Sequence, residues 1–122
     1  MHFSTLKLEL IRETLGRYTM ARAEIFAGIC GFKTIVETSM DGRHCNITIK
    51  SDCESIQSLA EELRQVDPYQ EISFRRSMPL TYQMASKHCA HAACPVASGI
   101  IKAVEVEARL ALPSDVSIKI SK

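Results

Sequence analysis

Two thiols and two imidazoles lie within one octapeptide of the chain, from His88 to Pro95 (HCAHAACP). Cysteine and histidine are the usual ligands of structural zinc, and cysteine thiolates also hold iron–sulfur clusters. A cysteine at the start of a helix can instead serve as a nucleophile. The segment therefore predicts a thiol-centred site, and the remaining cysteines (Cys30, Cys45 and Cys53) are candidates for further members.

The overall composition disfavours two classes of partner. The chain has 122 residues, of which 46% are apolar, so it is long enough for one domain with a substantial core. Its 15 basic and 14 acidic residues leave a net charge of +1. The longest basic run is the pair Arg75-Arg76. We therefore expect no nucleic acid and no membrane among its partners.

The cysteine count bears on the compartment. The N-terminal segment MHFSTLKLELIRETLG lacks the uncharged apolar core of a signal peptide, and charges interrupt every apolar stretch before it could span a bilayer. These features predict a cytoplasmic protein. In a reducing compartment, five thiols are core residues, metal ligands or reactive groups and not disulfides.

Three segments alternate apolar and polar residues as strands do: RAEIFAG, KTIVETS and HCNITIK. Short glycine-bearing connections join them, Gly28 to Gly31 and Met40 to Arg43. The pattern predicts an antiparallel meander of three strands.

Helix signals follow the third strand. Ser51-Asp52-Cys53-Glu54 has the pattern of a capping box before an apolar stripe, and that helix should end near Asp67-Pro68. The segment YQEISF could be a fourth strand or an extended connection. Pro79 can open a second helix, and Cys94-Pro95 can cap a third that ends before Pro113. Val116, Ile118 and Ile120 alternate and predict a last strand.

These elements predict one α+β domain over residues 21–122, with a three-stranded antiparallel meander plus a C-terminal strand and helices packed on one face. Residues 1–20 read as an N-terminal extension. Leucines alternate in this extension as in a strand, but a helical spacing competes, and we favour a helix. The extension could also mediate a homodimer.

The direction of the strands gathers the distant cysteines. The turn that holds Cys30 and the start of the first helix, at Cys53, fall at the same end of the sheet because successive strands reverse direction. Two antiparallel helices would return the HCAHAACP segment to that end. We therefore predict a metal site with Cys30, Cys53 and Cys94 as ligands and with His91 or Cys89 as the fourth.

Several alternatives remain open from the residues alone. Zinc and an iron–sulfur cluster suit this ligand set equally. The rival hypothesis is thiol chemistry without metal, with Cys94 as nucleophile and Cys30 or Cys53 as the resolving thiol or sulfur acceptor. A third is an interaction module whose thiols only pack. Whether the protein is an enzyme stays open. Cys45 alternates with Ile47 and Ile49, which predicts a core residue.

Four stretches carry a resemblance: GICGF, IKSDCESIQSLAEEL, HAACPV and GIIKAVEVEARLALP. From about Ala21 onward the chain resembles a small prokaryotic family of uncharacterised cysteine-containing proteins. The resemblance implies that Cys30, Cys53 and Cys94 are the family's thiol set, but it implies no activity.

A second, shorter resemblance concerns one helix start. The segment that begins at Cys94-Pro95 is similar to the Cys-Pro-x-Pro cap of small sulfur-carrier proteins, which would imply transfer of persulfide sulfur. Ala97 stands where that pattern has its second proline.

Overall fold

The computed structural model describes residues 20–122, which form one antiparallel sheet with helices against one of its faces. The α+β class predicted from the sequence is confirmed. The elements in chain order are β1 (Ala21–Phe26), β2 (Lys33–Asp41), β3 (His44–Ser51), α1 (Glu54–Glu62), β4 (Gln65–Val66), α2 (Pro68–Glu71), α3 (Leu80–His88) and α4 (Val96–Glu107).

The three long strands form the predicted meander. The sheet has the order β1-β2-β3-β4, and Ala21 pairs with Thr38 at the start of β1 while Phe26 pairs with Lys33 at its end. The β2–β3 turn requires a positive φ at Gly42 (64°), a conformation that glycine adopts without steric cost. The register of these hairpins fixes which side chains face the helices, because alternate residues of a strand point to opposite faces.

The core lies between this sheet and the helices. The helix-facing side chains of β2 and β3 are buried, among them Val36 and Ile47. Helix α4 covers β1 and β2, and α1 covers β3. At Gly99 a Cβ atom would clash with the side chain of Ile25, so the glycine lets α4 approach β1 closely. This contact brings the first turns of α4 to the end of the sheet where β1 ends.

The fourth strand is not the one that the sequence predicted. It is the two-residue β4, in which Val66 pairs with Cys45 of β3. Because residues 65 and 66 are drawn into the sheet, α1 ends at Glu62 and not near Asp67-Pro68. The segment YQEISF does not form a strand either. Its first residues belong to the single turn of α2, where the carboxylate of Asp67 accepts a hydrogen bond from the Tyr69 amide (3.0 Å).

The predicted C-terminal strand is wrong. Helix α4 ends in a reversal at Arg109, whose φ is 63°, and the Leu110 N–H donates to the carbonyl of Glu105 (2.8 Å). Residues 111–122 then form no helix or strand, and all of them are exposed. The alternation of apolar residues indicates an amphipathic segment, but a strand also needs a neighbouring edge, and these residues meet none within the described chain.

The start of α1 differs slightly from the predicted capping box. Ser51 still belongs to β3, where it pairs with Thr34, so the helix N-cap is Cys53 and α1 begins at Glu54. Similarly, the N-cap of α4 is Pro95 and not Cys94. Pro79 is the N-cap of α3, as predicted.

The helix predicted for residues 1–20 lies, apart from Met20, outside the described residues. Within residues 20–122, every helix is too short or too polar to cross a membrane.

Candidate thiol site

Cys53 lies at the joint between the sheet and the first helix. As the N-cap of α1 it has an extended backbone (φ −87°, ψ 124°), and its N–H donates to the Ser51 hydroxyl (3.1 Å). That hydroxyl in turn shares a hydrogen bond with the hydroxyl of the buried Thr34 (2.7 Å). The network ties the Cys53 backbone to β2 and β3, so the position of this thiol is set by the sheet.

Cys94 lies in the connection that enters α4. Its N–H donates to the carbonyl of His91 (3.3 Å), which closes a turn directly before Pro95. The close packing of Gly99 on Ile25 places this helix start at the same end of the sheet as Cys53. The unpaired amides of two helix starts, α1 and α4, are therefore next to cysteines, and helix starts favour negatively charged groups such as thiolates.

Cys89 ends the third helix. It is the C-cap of α3, and its N–H donates to the carbonyl of Ala85 (2.8 Å). The other end of α3 is fixed by Glu71, a buried carboxylate that accepts hydrogen bonds from the amides of Leu80 and Thr81 (both 2.8 Å) and from the Thr81 hydroxyl (2.6 Å). This cap, together with packing against α1 and α4, orients α3 and hence Cys89.

Cys53, Cys89 and Cys94, which we call the thiol cluster, each pack against the hydrophobic core from a position at or beside a helix end. All three are half-buried and pack against the same set of buried apolar residues. Burial raises the pKa of the Cys89 thiol, and the negative charges of Cys94 and Cys53 raise it further. Cys53 and Cys94 thus each lie close enough to Cys89 for their charges to act on its thiol, although the three residues come from different helix ends.

Two of the predicted ligands lie apart from this cluster. Cys30 is exposed in the β1–β2 turn, and it is not among the groups that raise the pKa of Cys89. His91 is exposed in the α3–α4 connection. The charges that act on Cys89 thus come from Cys53 and Cys94, whereas Cys30 and His91 lie at the surface.

The sequence analysis missed an ion-pair network beside Cys89. His88 Nε2 lies 2.8 Å from the carboxylate of Glu62, and Lys87 Nζ reaches the same carboxylate at 2.8 and 3.0 Å. Hydrogen bonds from Lys87 and then from His88 lower the pKa of Glu62 from its ordinary value of 4.5. Glu62 thereby holds the last turn of α3 against α1. The sequence offers no signal for this pairing, because the partners are 25 and 26 positions apart.

Cys45 is a core residue, as predicted. Its side chain is 0% exposed, and burial, followed by the charge of Glu107, raises the pKa of the thiol to about 11. It lies at the opposite end of the sheet from the thiol cluster, opposite Met40.

The chemical capacity of the thiol cluster follows from its ligands. Three thiols can lose protons and hold a soft cation, or two of them can be oxidised to a disulfide. Within residues 20–122, no three or more His, Cys, Asp or Glu side chains are already arranged to hold a metal ion. Coordination by the thiol cluster would therefore require its side chains to rotate toward a common point.

Comparison with known proteins adds a family and nothing more. Residues 21–120 match the sequence model described as a family of unknown function (DUF6951), and the match begins where the resemblance noted above begins. The comparison found no matching curated protein or solved structure. The similarity to sulfur-carrier proteins is not shown by these comparisons and stays a prediction.

Proposed function

We propose, starting from the fact that the chain belongs to the DUF6951 family of unknown function, that Cys53, Cys89 and Cys94 bind a thiophilic transition metal, as a zinc ion or an iron–sulfur cluster. One observation carries the proposal. Half-buried cysteines lie at or beside three helix ends, and the charges of Cys94 and Cys53 act on the Cys89 thiol.

The electrostatics of the cluster favour a bound cation. Ionising all three thiols would place three negative charges close together, which is costly in a half-buried site. A divalent cation removes this repulsion and compensates the loss of hydration, and metal binding would release the thiol protons to solvent. Burial, followed by the charges of Cys94 and Cys53, raises the pKa of the Cys89 thiol and makes it a poor free nucleophile.

The fourth coordination position has two candidates within the chain. His91 is three residues before Cys94 in the same connection, and Cys30 lies in the turn at the same end of the sheet. Both are exposed, so either could move inward without breaking a packed contact. A water molecule in the fourth position would instead leave the site open for metal handling, whereas four protein ligands would close it as a structural site.

Metal content tests the proposal directly. The full chain is purified under anaerobic conditions, and its zinc, iron and sulfide contents and its visible spectrum are measured. We expect about one zinc ion per chain, or iron with a thiolate-to-iron absorption band. We also expect Cys53→Ser, Cys89→Ser and Cys94→Ser to lose metal, while Cys45→Ser retains it.

The control outcomes separate the cluster from its surroundings. Cys30→Ala and His91→Ala identify the fourth ligand, since the variant that lacks it should bind metal more weakly without losing the site. Equal metal retention by the three cluster variants would contradict the proposal, and so would metal-free protein that takes up neither zinc nor a reconstituted cluster.

A second candidate function rests on the position of Cys94. This thiol precedes α4, whose first amides favour an anion, and it shares its neighbourhood with Cys53 and Cys89. Attack of the Cys94 thiolate on a low-molecular-weight disulfide would form a mixed disulfide and release one thiol. A second cluster thiol would then resolve it as an internal disulfide and release the other. Metal-free protein with rapid labelling of Cys94 alone would favour this function over metal binding.

Both functions require reduced thiols. The proposal therefore includes a cytoplasmic location, as the cysteine usage predicts. Mass measurement of the protein isolated from cells under acid quenching tests this placement, because a reducing compartment should leave all five cysteines without disulfides.

A further inference from the structure

The C-terminal tail, residues 111–122, is an amphipathic segment without a partner in the described chain. Val116, Ile118 and Ile120 are 66%, 77% and 91% exposed. They alternate with Ser117 and Lys119, so an extended backbone places all three β-branched side chains on one side. Such a pattern is that of a strand which buries one face against a core.

Strand β1 has an edge whose backbone groups lack hydrogen-bond partners within residues 20–122. It is the outer strand of the sheet, and the N–H of Ala27, directly after it, donates to the carbonyl of Phe32 (3.1 Å). Because hydrogen-bonded positions alternate in an antiparallel pair, the backbone groups of Arg22, Glu24 and Phe26 point away from β2. No group within residues 20–122 pairs with this row of donors and acceptors.

The core is also incomplete along β1. Ala23 and Ile25 face the helices and pack against the core cluster, yet both are half-buried, and within residues 20–122 no strand lies outside them. A strand added there with its apolar residues on the helix side would cover both. Its polar residues would then share the open face of the sheet with Glu24, whose charge is opposite to that of Lys119.

We propose that residues 116–120 of one copy add to the outer edge of β1 in a second copy, so that two chains exchange C-terminal strands. The tail leaves α4 beside the start of β1, since Glu107 Oε1 accepts a hydrogen bond from the Ala21 amide (2.8 Å). Every residue from 109 to 122 is exposed, so the tail lies off its own sheet. In a two-fold dimer, each tail can pair with the β1 edge of the other copy, so the tail and the edge both gain a partner.

The molecular mass of the full chain in solution and its amide hydrogen exchange test the proposed strand swap. Sedimentation or light scattering over a wide range of concentration should give a dimer. Amide hydrogen exchange should show protection of Arg22, Glu24 and Phe26 and of alternate amides in residues 116–120. We expect Ile118→Lys to be a monomer that loses both sets of protection.

A matched control keeps the test specific. Ser117→Lys adds the same charge on the polar side of the tail and should remain dimeric. Circular dichroism and an unreactive Cys45 would show that each variant is folded.

Three outcomes would overturn the proposal: a monomeric wild-type chain, whether or not its tail is protected on its own sheet, a dimer that survives Ile118→Lys, and a dimer whose β1 amides exchange freely. The proposed metal site is independent of this result, since none of its cysteines lies in β1 or in the tail.

Discussion

The two ends of the sheet place cysteines in opposite environments. At one end, Cys45 is enclosed between β2, β4 and the helices, where it is fully buried and its thiol is held protonated. At the other end, the three cysteines of the thiol cluster lie at or beside helix termini and are half-buried, and the charges of Cys94 and Cys53 act on the Cys89 thiol. The chemistry of a thiol thus depends on its place in the fold, since a cysteine inside a strand packs whereas cysteines at helix ends stay available to ligands.

The largest expected difference between the two ends is in thiol reactivity. We expect iodoacetamide to alkylate Cys45 at least about a hundredfold more slowly than Cys94 in the folded chain. A pKa of about 11 in place of the ordinary 9.0 lowers the thiolate fraction of Cys45 about a hundredfold, and burial further slows access of the reagent. Peptide mass mapping after timed labelling measures both rates. Denaturant should bring the two rates together, and similar rates in the folded chain would contradict the distinction.

The cap of α3 provides a way to disturb the thiol cluster and spare Cys45. Glu71→Ala would leave the amides of Leu80 and Thr81 and the Thr81 hydroxyl without their acceptor, at a cost of about 2–4 kcal/mol in the free energy of unfolding. Glu71→Gln keeps one acceptor oxygen and should cost less.

Urea denaturation measures these costs, and labelling of Cys89 should become faster in Glu71→Ala while Cys45 stays protected. Glu61→Ala, on the exposed side of α1, is the control and should change stability by less than about 0.5 kcal/mol. An unchanged urea midpoint in Glu71→Ala would show that the cap does not hold α3.

Alkaline pH tests the Cys45 end. Because the folded pKa of about 11 lies above the ordinary value of 9.0, the stability contributed by the protonated thiol is complete below pH 9.0. It is lost as the pH rises through 11, by roughly 2.7 kcal/mol in full for a two-unit difference. Cys45→Ala should lower stability at neutral pH but remove this alkaline loss. Urea titrations at pH 8 and at pH ~11 measure it, and Cys30→Ala, at an exposed thiol, should behave like the wild type.

The smallest expected effect concerns the ion pairs beside Cys89. Hydrogen bonds lower the folded pKa of Glu62 from 4.5, so the stabilisation from this carboxylate is present above pH 4.5 and is lost as the pH falls through the lowered value. Glu62→Gln should melt slightly below the wild type at neutral pH, and the two should converge in acid. Glu61→Gln is the control, because the Glu61 carboxylate makes no hydrogen bond to the described residues; an equal effect from both variants would exclude a specific role for Glu62.

Much of the fold was readable from local patterns. The three alternating segments became β1, β2 and β3 in the predicted order, and Pro79 opens α3 as predicted. The errors lie where pairing with a distant element competed with a local signal. Val66 follows a helical stripe but joins β3, and Val116 to Ile120 alternate like a strand but have no edge within the described chain.

The candidate site was predictable in part for the same reason. The parity of strand directions places Cys53 at the end of the sheet where β1 ends, and the packing of α4 on β1 places Cys94 there too. The convergence of Cys89 with them depends on the path of α3, which is set by the buried Glu71 and by the Glu62 ion pairs. Neither contact has a sequence signature, because each joins residues of two different helices.

The sequence by itself determined which residues can do chemistry, which segments alternate and that Cys45 belongs to the core, because these properties depend on side-chain type and on periods of two and about four residues. The tertiary structure sets which thiols lie close enough to act on Cys89, which lie at the surface and which strand edge has no partner within residues 20–122. Those outcomes depend on helix directions and on contacts between residues far apart in the chain, which no local period encodes.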